Sequence, residues 1–141
     1  MNLAIWDIES SSASTDFGSI IEIGGVLVDE NFKEKDRFNL RCRLPEGEIF
    51  QAMALIVNKT SIKKLTQANL SHYQMLAEVE KIFKKWSPAI FLGWSNIGFD
   101  DEMIRKEFFK GIRYPYLTNA APNKRHDGIN IARAAYAVDP N

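Results

Sequence analysis

Two carboxylates, Asp7 and Glu9, stand two positions apart in an otherwise apolar segment near the start of the chain. On a β-strand such residues project from the same face, which would place the two carboxylates about 7 Å apart. Like charges on one face repel each other unless a positive group lies between them, and hard divalent cations prefer oxygen ligands. The pair therefore fits a Mg²⁺ or Mn²⁺ site, although two solvated acids at an exposed strand end are the commoner meaning of this pattern.

Asp100 is a third candidate, at the predicted junction between a short apolar strand and a helix. A carboxylate in the first turn of a helix is stabilised as the anion by the helix dipole. An ordinary N-cap, followed by Asp101 and Glu102 as first-turn acids, would explain the same residues. The three carboxylates can converge only if the two strands that lead to them are neighbours in one sheet.

The elements that would position these acids follow from hydrophobic periodicity. Alternation predicts strands over residues 3–9, 20–28 and 38–44, paired as an antiparallel meander, and a short buried strand over 89–94. Helical spacing predicts helices over 49–57, 71–86, 100–110 and 127–138, with Ser71 and Gln74 forming a capping box. This order predicts one mixed α/β domain over residues 1–141, with the first strand central and helices packed against the sheet.

Composition excludes several classes of protein. The chain has 141 residues, 45% of them hydrophobic and 26% charged, as in an ordinary globular domain. It contains neither an apolar run of the roughly 20 residues needed for a membrane span nor a signal-peptide pattern, which predicts a cytoplasmic protein without membrane association. A single cysteine, Cys42, excludes an internal disulfide and a multi-cysteine zinc site, and its apolar surroundings predict a core position.

Charge is distributed unevenly along the chain. The first 32 residues contain six acids and no Lys or Arg, which leaves 12 acids and 18 basic residues for the remainder. The two parts therefore carry opposite net charges of six, although the whole chain is neutral. This asymmetry is compatible with an acidic, cation-binding site beside a basic surface that attracts phosphate, and also with chance clustering of solvated charges.

The carboxylate motifs resemble those of the DEDD family of 3′-to-5′ exonucleases, in its His-type branch. Asp7-Ile8-Glu9 is similar to the family's first motif, and residues 93–102 (GWSNIGFDDE) are similar to its second. Residues 125–127 (RHD) and 132–137 (ARAAYA) extend the resemblance in the same order over nearly the whole chain.

This resemblance implies a ribonuclease H-like, proofreading-exonuclease fold with a mixed sheet and flanking helices. It implies a metal-dependent 3′-to-5′ exonuclease that acts on single-stranded nucleic acid, with DNA favoured over RNA, and releases nucleoside 5′-monophosphates. Asp7, Glu9 and Asp100 would be catalytic and would hold two divalent ions, Mg²⁺ or Mn²⁺. The partner would be the 3′ end of a single strand, held by basic groups and base stacking.

The resemblance also implies a set of substrate contacts. Ser10 and Ser11, directly after the first motif, would lie near the 3′-terminal nucleotide. Asn96 and Phe99 would line or support the same pocket.

Two features depart from the family pattern. Residues 10–13 (SSSA) stand where the family has a Thr, small residues and an apolar wedge. The third motif, a histidine followed five residues later by a carboxylate, is absent, because Ala77 and Ile131 follow His72 and His126 at that spacing. His72 is therefore expected to be a surface residue at the start of a helix.

The missing motif leads to further expectations. We expect a C-terminally truncated form of a longer exonuclease domain that releases little or no nucleotide. The surface that a last helix would cover should be apolar and allow self-association. The alternative is a non-catalytic module on the same fold that binds nucleic acid or protein.

Overall fold

The structure is a computed structural model that describes residues 1–140 as a mixed sheet flanked by helices. Its strands are β1 (Asn2–Ser10), β2 (Ile20–Val28), β3 (Glu34–Arg41), β4 (Ala89–Gly93) and β5 (Lys124–Asp127). Its helices are α1 (Ala52–Val57), α2 (Ile62–Thr66), α3 (His72–Trp86), α4 (Asp100–Lys110) and α5 (Gly128–Val138). No helix within residues 1–140 is long and apolar enough to cross a membrane.

The sheet has the strand order β3-β2-β1-β4-β5. β1, β2 and β3 pair as antiparallel neighbours, whereas β4 pairs in parallel with β1 and with β5. The predicted meander and the central position of the first strand are therefore confirmed. The parallel pairing brings the carboxyl ends of β1 and β4 to the same edge of the sheet.

Alternation in β1 separates the core from the opposite face of the sheet. Ala4, Trp6 and Ile8 are buried, whereas Ile5 and Asp7 between them are exposed. Phe83 of α3 packs against the buried face, with its ring centroid 5.6 Å from that of Trp6. Burial of this face fixes the register of β1, because a slip by one residue would turn Asp7 into the core.

The capping box predicted for α3 is present. The Ser71 hydroxyl accepts a hydrogen bond from the Gln74 N–H at 3.2 Å, and the Gln74 side-chain carbonyl accepts one from the Ser71 N–H at 2.9 Å. The helix buries one apolar stripe against the sheet, formed by Met75, Leu76, Val79, Phe83 and Trp86. The two hydrogen bonds satisfy N–H groups that the first turn would otherwise leave without partners.

We expect the substitution Ser71→Ala to lower the free energy of unfolding by about 1 kcal/mol, because it removes the N-cap acceptor of α3. Urea unfolding should show a lower midpoint with an unchanged slope. Ser87→Ala, at the other end of the same helix, is the control and should leave the midpoint nearly unchanged. Equal effects of the two substitutions would contradict the role assigned to the cap.

The third strand differs from its prediction: it covers Glu34–Arg41 rather than residues 38–44. The Asp29 carboxylate accepts hydrogen bonds from the N–H groups of Asn31 and Lys33, which closes a tight turn and starts the pairing of β3 with β2 early. Cys42 lies just beyond the strand: its N–H still donates to the Ile21 carbonyl of β2 at 3.0 Å, and it forms an isolated bridge with Leu70. Its side chain is buried as predicted, and burial raises the pKa of the thiol to about 12.

Other local predictions were incomplete. The helix predicted over residues 49–57 begins only at Ala52, and the short elements α2 and β5 were not predicted. His72 is not a surface residue, since its side chain is largely buried and its Nε2 atom lies 3.5 Å from the carboxylate of Glu107 on α4. This contact connects the start of α3 to α4, which the sequence pattern of either helix alone does not indicate.

Candidate active site

The parallel pairing of β1 with β4 brings the predicted acids to one edge of the sheet. Asp7 and Glu9 lie near the carboxyl end of β1, and the chain runs from the end of β4 through a six-residue turn to Asp100. The Asp100 Oδ1 atom accepts a hydrogen bond from the Ile8 N–H at 3.3 Å. Asp100 therefore contacts β1 at the residue between the two acids of the first motif.

The carboxylates at this edge of the sheet have too few positive groups nearby to offset their burial and mutual repulsion. Asp100 is only 6% exposed, and burial, followed by the nearby Asp7 carboxylate, raises its pKa to about 7. Burial also raises the pKa of Glu9, with additional contributions from Asp7 and Glu22 and an opposing one from Arg41. A cation at this edge would relieve both the repulsion and the cost of burying the charges.

The donor set suits a hard divalent cation in type and in charge, because all three side chains offer carboxylate oxygens. Within residues 1–140, the side chains as placed form no group of three or more His, Cys, Asp and Glu that could hold a metal ion. Asp7 is exposed and Glu9 is partly exposed, whereas Asp100 is held against β1. Coordination by all three would therefore need rotation of the Asp7 and Glu9 side chains.

Asp101, the neighbour of Asp100, has a different environment. Its carboxylate accepts hydrogen bonds from Asn96 Nδ2 at 2.7 Å and from Thr118 Oγ1 at 3.3 Å, and the Arg125 guanidinium lies 3.9 Å away. Burial raises its pKa to about 6 although Arg125 and Thr118 oppose the shift. Asp101 thus anchors the turn after β4, while Asp100 contacts β1.

Asn96 supports this turn from the interior. Its side chain is completely buried, and its backbone carbonyl accepts hydrogen bonds from the N–H groups of Phe99 and Asp101. Gly93 makes this packing possible, because a Cβ atom there would lie 2.6 Å from the Asn96 Cβ. Of the two roles predicted for Asn96, lining the pocket or supporting it, the placement fits support.

Asp127 braces the same turn from the end of β5. Its carboxylate accepts hydrogen bonds from the Ser95 N–H at 2.8 Å and from the Ile129 N–H at 3.0 Å. The second bond caps α5. One side chain therefore couples the loop before Asp100 to the last helix.

The predicted serines are buried and hydrogen-bonded. The Ser10 hydroxyl donates to the Ser12 carbonyl at 2.7 Å. The Ser11 hydroxyl donates to the Glu48 carboxylate and accepts from the Ser19 N–H. Ser11 thus organises the loop after β1, whereas Ser10 borders a cavity.

That cavity, of about 300 Å³, lies between the end of β1, α1 and Phe99. Glu9 and Ser10 contribute polar atoms to a lining that is mainly apolar, as is usual for a ligand pocket. Met53 and Asn58 of the α1 region complete it, and Asn58 Nδ2 donates to the Ser10 carbonyl at 2.9 Å. Sequence reasoning did not find Met53 and Asn58, because no local pattern places the segment 52–58 beside β1.

Known proteins resemble this chain in sequence and in fold. No protein-family model matches the chain. Exodeoxyribonuclease I of Buchnera aphidicola subsp. Schizaphis graminum is 22% identical over 143 residues, which is 100% of this chain and 30% of that protein. The Haemophilus influenzae exodeoxyribonuclease I is 24% identical over 138 residues, covering 96% of this chain and 29% of that protein. The chain is similar in sequence to exodeoxyribonuclease I over nearly its whole length. The resemblance to DEDD exonucleases, and within them to exodeoxyribonuclease I, is thereby confirmed.

Solved structures of exonuclease I share the fold. The Escherichia coli enzyme in complex with a dT13 oligonucleotide matches with a TM-score of 0.91 and 20% identity, over 99% of this chain and 30% of that chain. A structure of an ExoI/SSB-Ct complex has the same TM-score and identity. The predicted ribonuclease H-like fold is confirmed. This chain spans about 30% of the length of the exodeoxyribonuclease I relatives that it matches.

Proposed function

We propose that the chain forms a metal-dependent 3′-to-5′ exonuclease domain that acts on single-stranded DNA and releases nucleoside 5′-monophosphates. The observation that carries this proposal is the contact of buried Asp100 with Ile8, between Asp7 and Glu9. Homology to exodeoxyribonuclease I supports the reaction, and the E. coli enzyme is known in complexes with dT13 and dA16 oligonucleotides.

Asp7, Glu9 and Asp100 would hold Mg²⁺ or Mn²⁺. Such ions, when bound in pairs, lower the pKa of a bound water and stabilise the departing oxygen of a phosphodiester. The Ile8 N–H orients the Asp100 carboxylate before any ligand arrives. Ile8 itself is anchored in the core, so the position of Asp100 is coupled to the packing of β1.

The cavity beside Glu9 is the proposed site of the 3′-terminal nucleotide. Phe99 and Met53 offer it apolar surface, on which a base can stack without sequence preference. Ser10 contributes a polar group at the border of the cavity. Ser11 and Asn96 act indirectly, by holding the loop after β1 and the turn before Asp100.

Exposed apolar side chains on α5 support self-association as an additional property. Ile131, Tyr136 and Val138 are 55%, 67% and 88% exposed. Burial of these side chains against a second copy would remove apolar surface from water. Sedimentation velocity should then show a dimer that dissociates on dilution, and Ile131→Lys should shift the equilibrium to the monomer.

The proposed reaction is tested with a 5′-labelled single-stranded DNA in Mn²⁺ or in a chelator. We expect shortening one nucleotide at a time from the 3′ end, only with the metal, and a nucleoside 5′-monophosphate as the product. Turnover should be slow, because a general base contributes roughly 100-fold or more and no histidine in the chain has the family spacing. Fusion of the segment that carries this motif in a relative should raise the rate.

A non-catalytic binding module is the second candidate, and the missing histidine and carboxylate favour it. It predicts DNA binding that does not change in Asp7→Asn and no release of nucleotide by either the chain or the fusion. Cleavage within the strand or from the 5′ end would contradict both candidates.

A further inference from the structure

We propose that Glu22 is a positioning residue for Glu9, held in place by Asn39 and Arg41; this inference rests on the proposed metal site. Glu9 and Glu22 are paired directly across β1 and β2, and Glu22 is paired in turn with Arg41 on β3. The three side chains therefore stand in one row across the sheet, on the face that carries Asp7.

Both oxygens of the Glu22 carboxylate are engaged. Arg41 donates to Oε2 from Nε at 2.8 Å and also from Nη2. Asn39 Nδ2 donates to Oε1 at 2.8 Å. The Glu22 side chain is only 16% exposed, so its orientation is set by these contacts rather than by solvent.

A cavity of about 170 Å³ connects this group to the proposed metal ligands. Asp7, Glu9, Glu22 and Asn39 all line it, together with Ile8 and Gly24. Gly24 stands directly opposite Asp7, and a Cβ atom there would lie 3.2 Å from the Asn39 Oδ1. Glycine at this position leaves Asn39 the room to reach Glu22.

Placing Glu22 directly opposite Glu9 lowers the stability of the sheet, which is understandable if Glu22 has a role at the proposed metal site. Like charges directly opposite each other on antiparallel strands are destabilising, and a partly exposed ion pair such as Glu22–Arg41 contributes little in return. A fixed Glu22 carboxylate disfavours rotation of Glu9 towards β2. Asp7 also repels Glu9 in the absence of a metal. Glu9 therefore turns towards Asp7 and Asp100 when a bound cation offsets that repulsion, and Glu22 closes off the alternative direction.

Glu22 could instead act only through its negative charge, and two substitutions that preserve charge separate these explanations. Arg41→Lys keeps the cation but loses the planar donor pair, and Asn39→Ala removes the contact to Oε1. If Glu22 acts only through its charge, neither change alters metal affinity. If the orientation of the Glu22 carboxylate matters, both substitutions weaken metal binding. Arg37→Lys is the matched control, because Arg37 lies on the same strand and pairs with Glu34.

Calorimetric titration with Mn²⁺ tests the proposal, with thermal unfolding of each variant as the check on folding. We expect Arg41→Lys and Asn39→Ala each to weaken Mn²⁺ binding by roughly 3-fold to 10-fold, below the roughly 10-fold to 100-fold typical of groups that contact a metal ligand directly, because each acts on Glu9 only through Glu22. Arg37→Lys should bind as the wild type does.

The outcomes distinguish this inference from the proposed function. Wild-type affinity in both folded variants, with binding lost in Asp100→Asn, overturns the role of Glu22 and leaves the metal site standing. Absence of Mn²⁺ binding by the wild-type chain overturns both proposals.

Discussion

Substitution of Asp100 by Asn is expected to abolish Mn²⁺ binding, with an increase in Kd of at least about 100-fold. Asp100 is the one buried member of the three acids, and the Ile8 N–H fixes its carboxylate. Asparagine has nearly the same shape and still accepts that hydrogen bond, so the change removes a charged ligand with little disturbance of packing. Asp7 and Glu9 alone offer a hard cation too few ligands. Isothermal titration calorimetry measures the loss directly.

Glu78→Gln provides the control for this experiment. Glu78 lies on α3, is 47% exposed and pairs with Lys81 at 3.6 Å, so its substitution makes the same change of charge away from the proposed site. Mn²⁺ affinity should be the same in this variant as in the wild type. An Asp100→Asn protein that binds Mn²⁺ normally would remove the basis of the proposed reaction.

The elements that carry the acids were predictable because each has a strong local signal. In β1, apolar residues alternate with polar ones at the carboxyl end, and the observed burial follows that alternation. The predicted bounds of β2 and α4 coincide with those in the structure. In these segments the local pattern and the tertiary burial favour the same conformation.

Edge strands were harder to predict because pairing, rather than burial, defines them. β5 consists of Lys124, Arg125, His126 and Asp127, and only the last of these is buried. The first half of β3 (Glu34–Arg37 in the chain) is likewise charged and mostly exposed. Charged edge residues discourage pairing with other chains, and the same property hides such strands from a search for alternating hydrophobicity.

In the candidate site, too, only some of the predicted features could be checked against the structure. That Asp7, Glu9 and Asp100 could converge was conditional on adjacent strands, and the parallel pairing of β1 with β4 meets this condition. The substrate contacts predicted for Ser10, Ser11, Asn96 and Phe99 remain predictions, and the hydrogen bonds of Ser11 and Asn96 favour support of the backbone over direct contact.

The partners of two site residues lay outside any local pattern. Ser11 bonds to Glu48, 37 positions away, and no local pattern at either residue indicates that contact. Asn96 bonds to Asp101, a residue that the sequence marks only as a first-turn acid. Long-range polar contacts of this kind decide which side chains face a ligand and which hold the backbone.

Asp100 should also make the stability of the metal-free protein depend on pH. Burial and the nearby Asp7 raise the pKa of Asp100 to about 7 in the folded protein, whereas an Asp in an unfolded chain has a pKa of about 3.9. Between these values the folded protein holds a proton that the unfolded chain has released. The free energy of unfolding therefore falls as the pH rises from about 4 to about 7, and this contribution levels off at higher pH.

Asp100→Asn should remove on the order of 2 kcal/mol of this fall, a figure reduced from the full linkage value because water reaches part of the site. Asp101, Glu9 and Glu107, whose pKa values burial also raises, contribute in the same direction in both proteins and largely cancel in the comparison. Urea unfolding in a chelator, at about pH 4 and about pH 8, measures the difference. The variant should exceed the wild type in stability at the higher pH and nearly match it at the lower. The same pH dependence of the free energy of unfolding in both proteins would contradict this prediction. It would show that Asp100 is ionised in the folded state at little cost, despite its burial against Ile8.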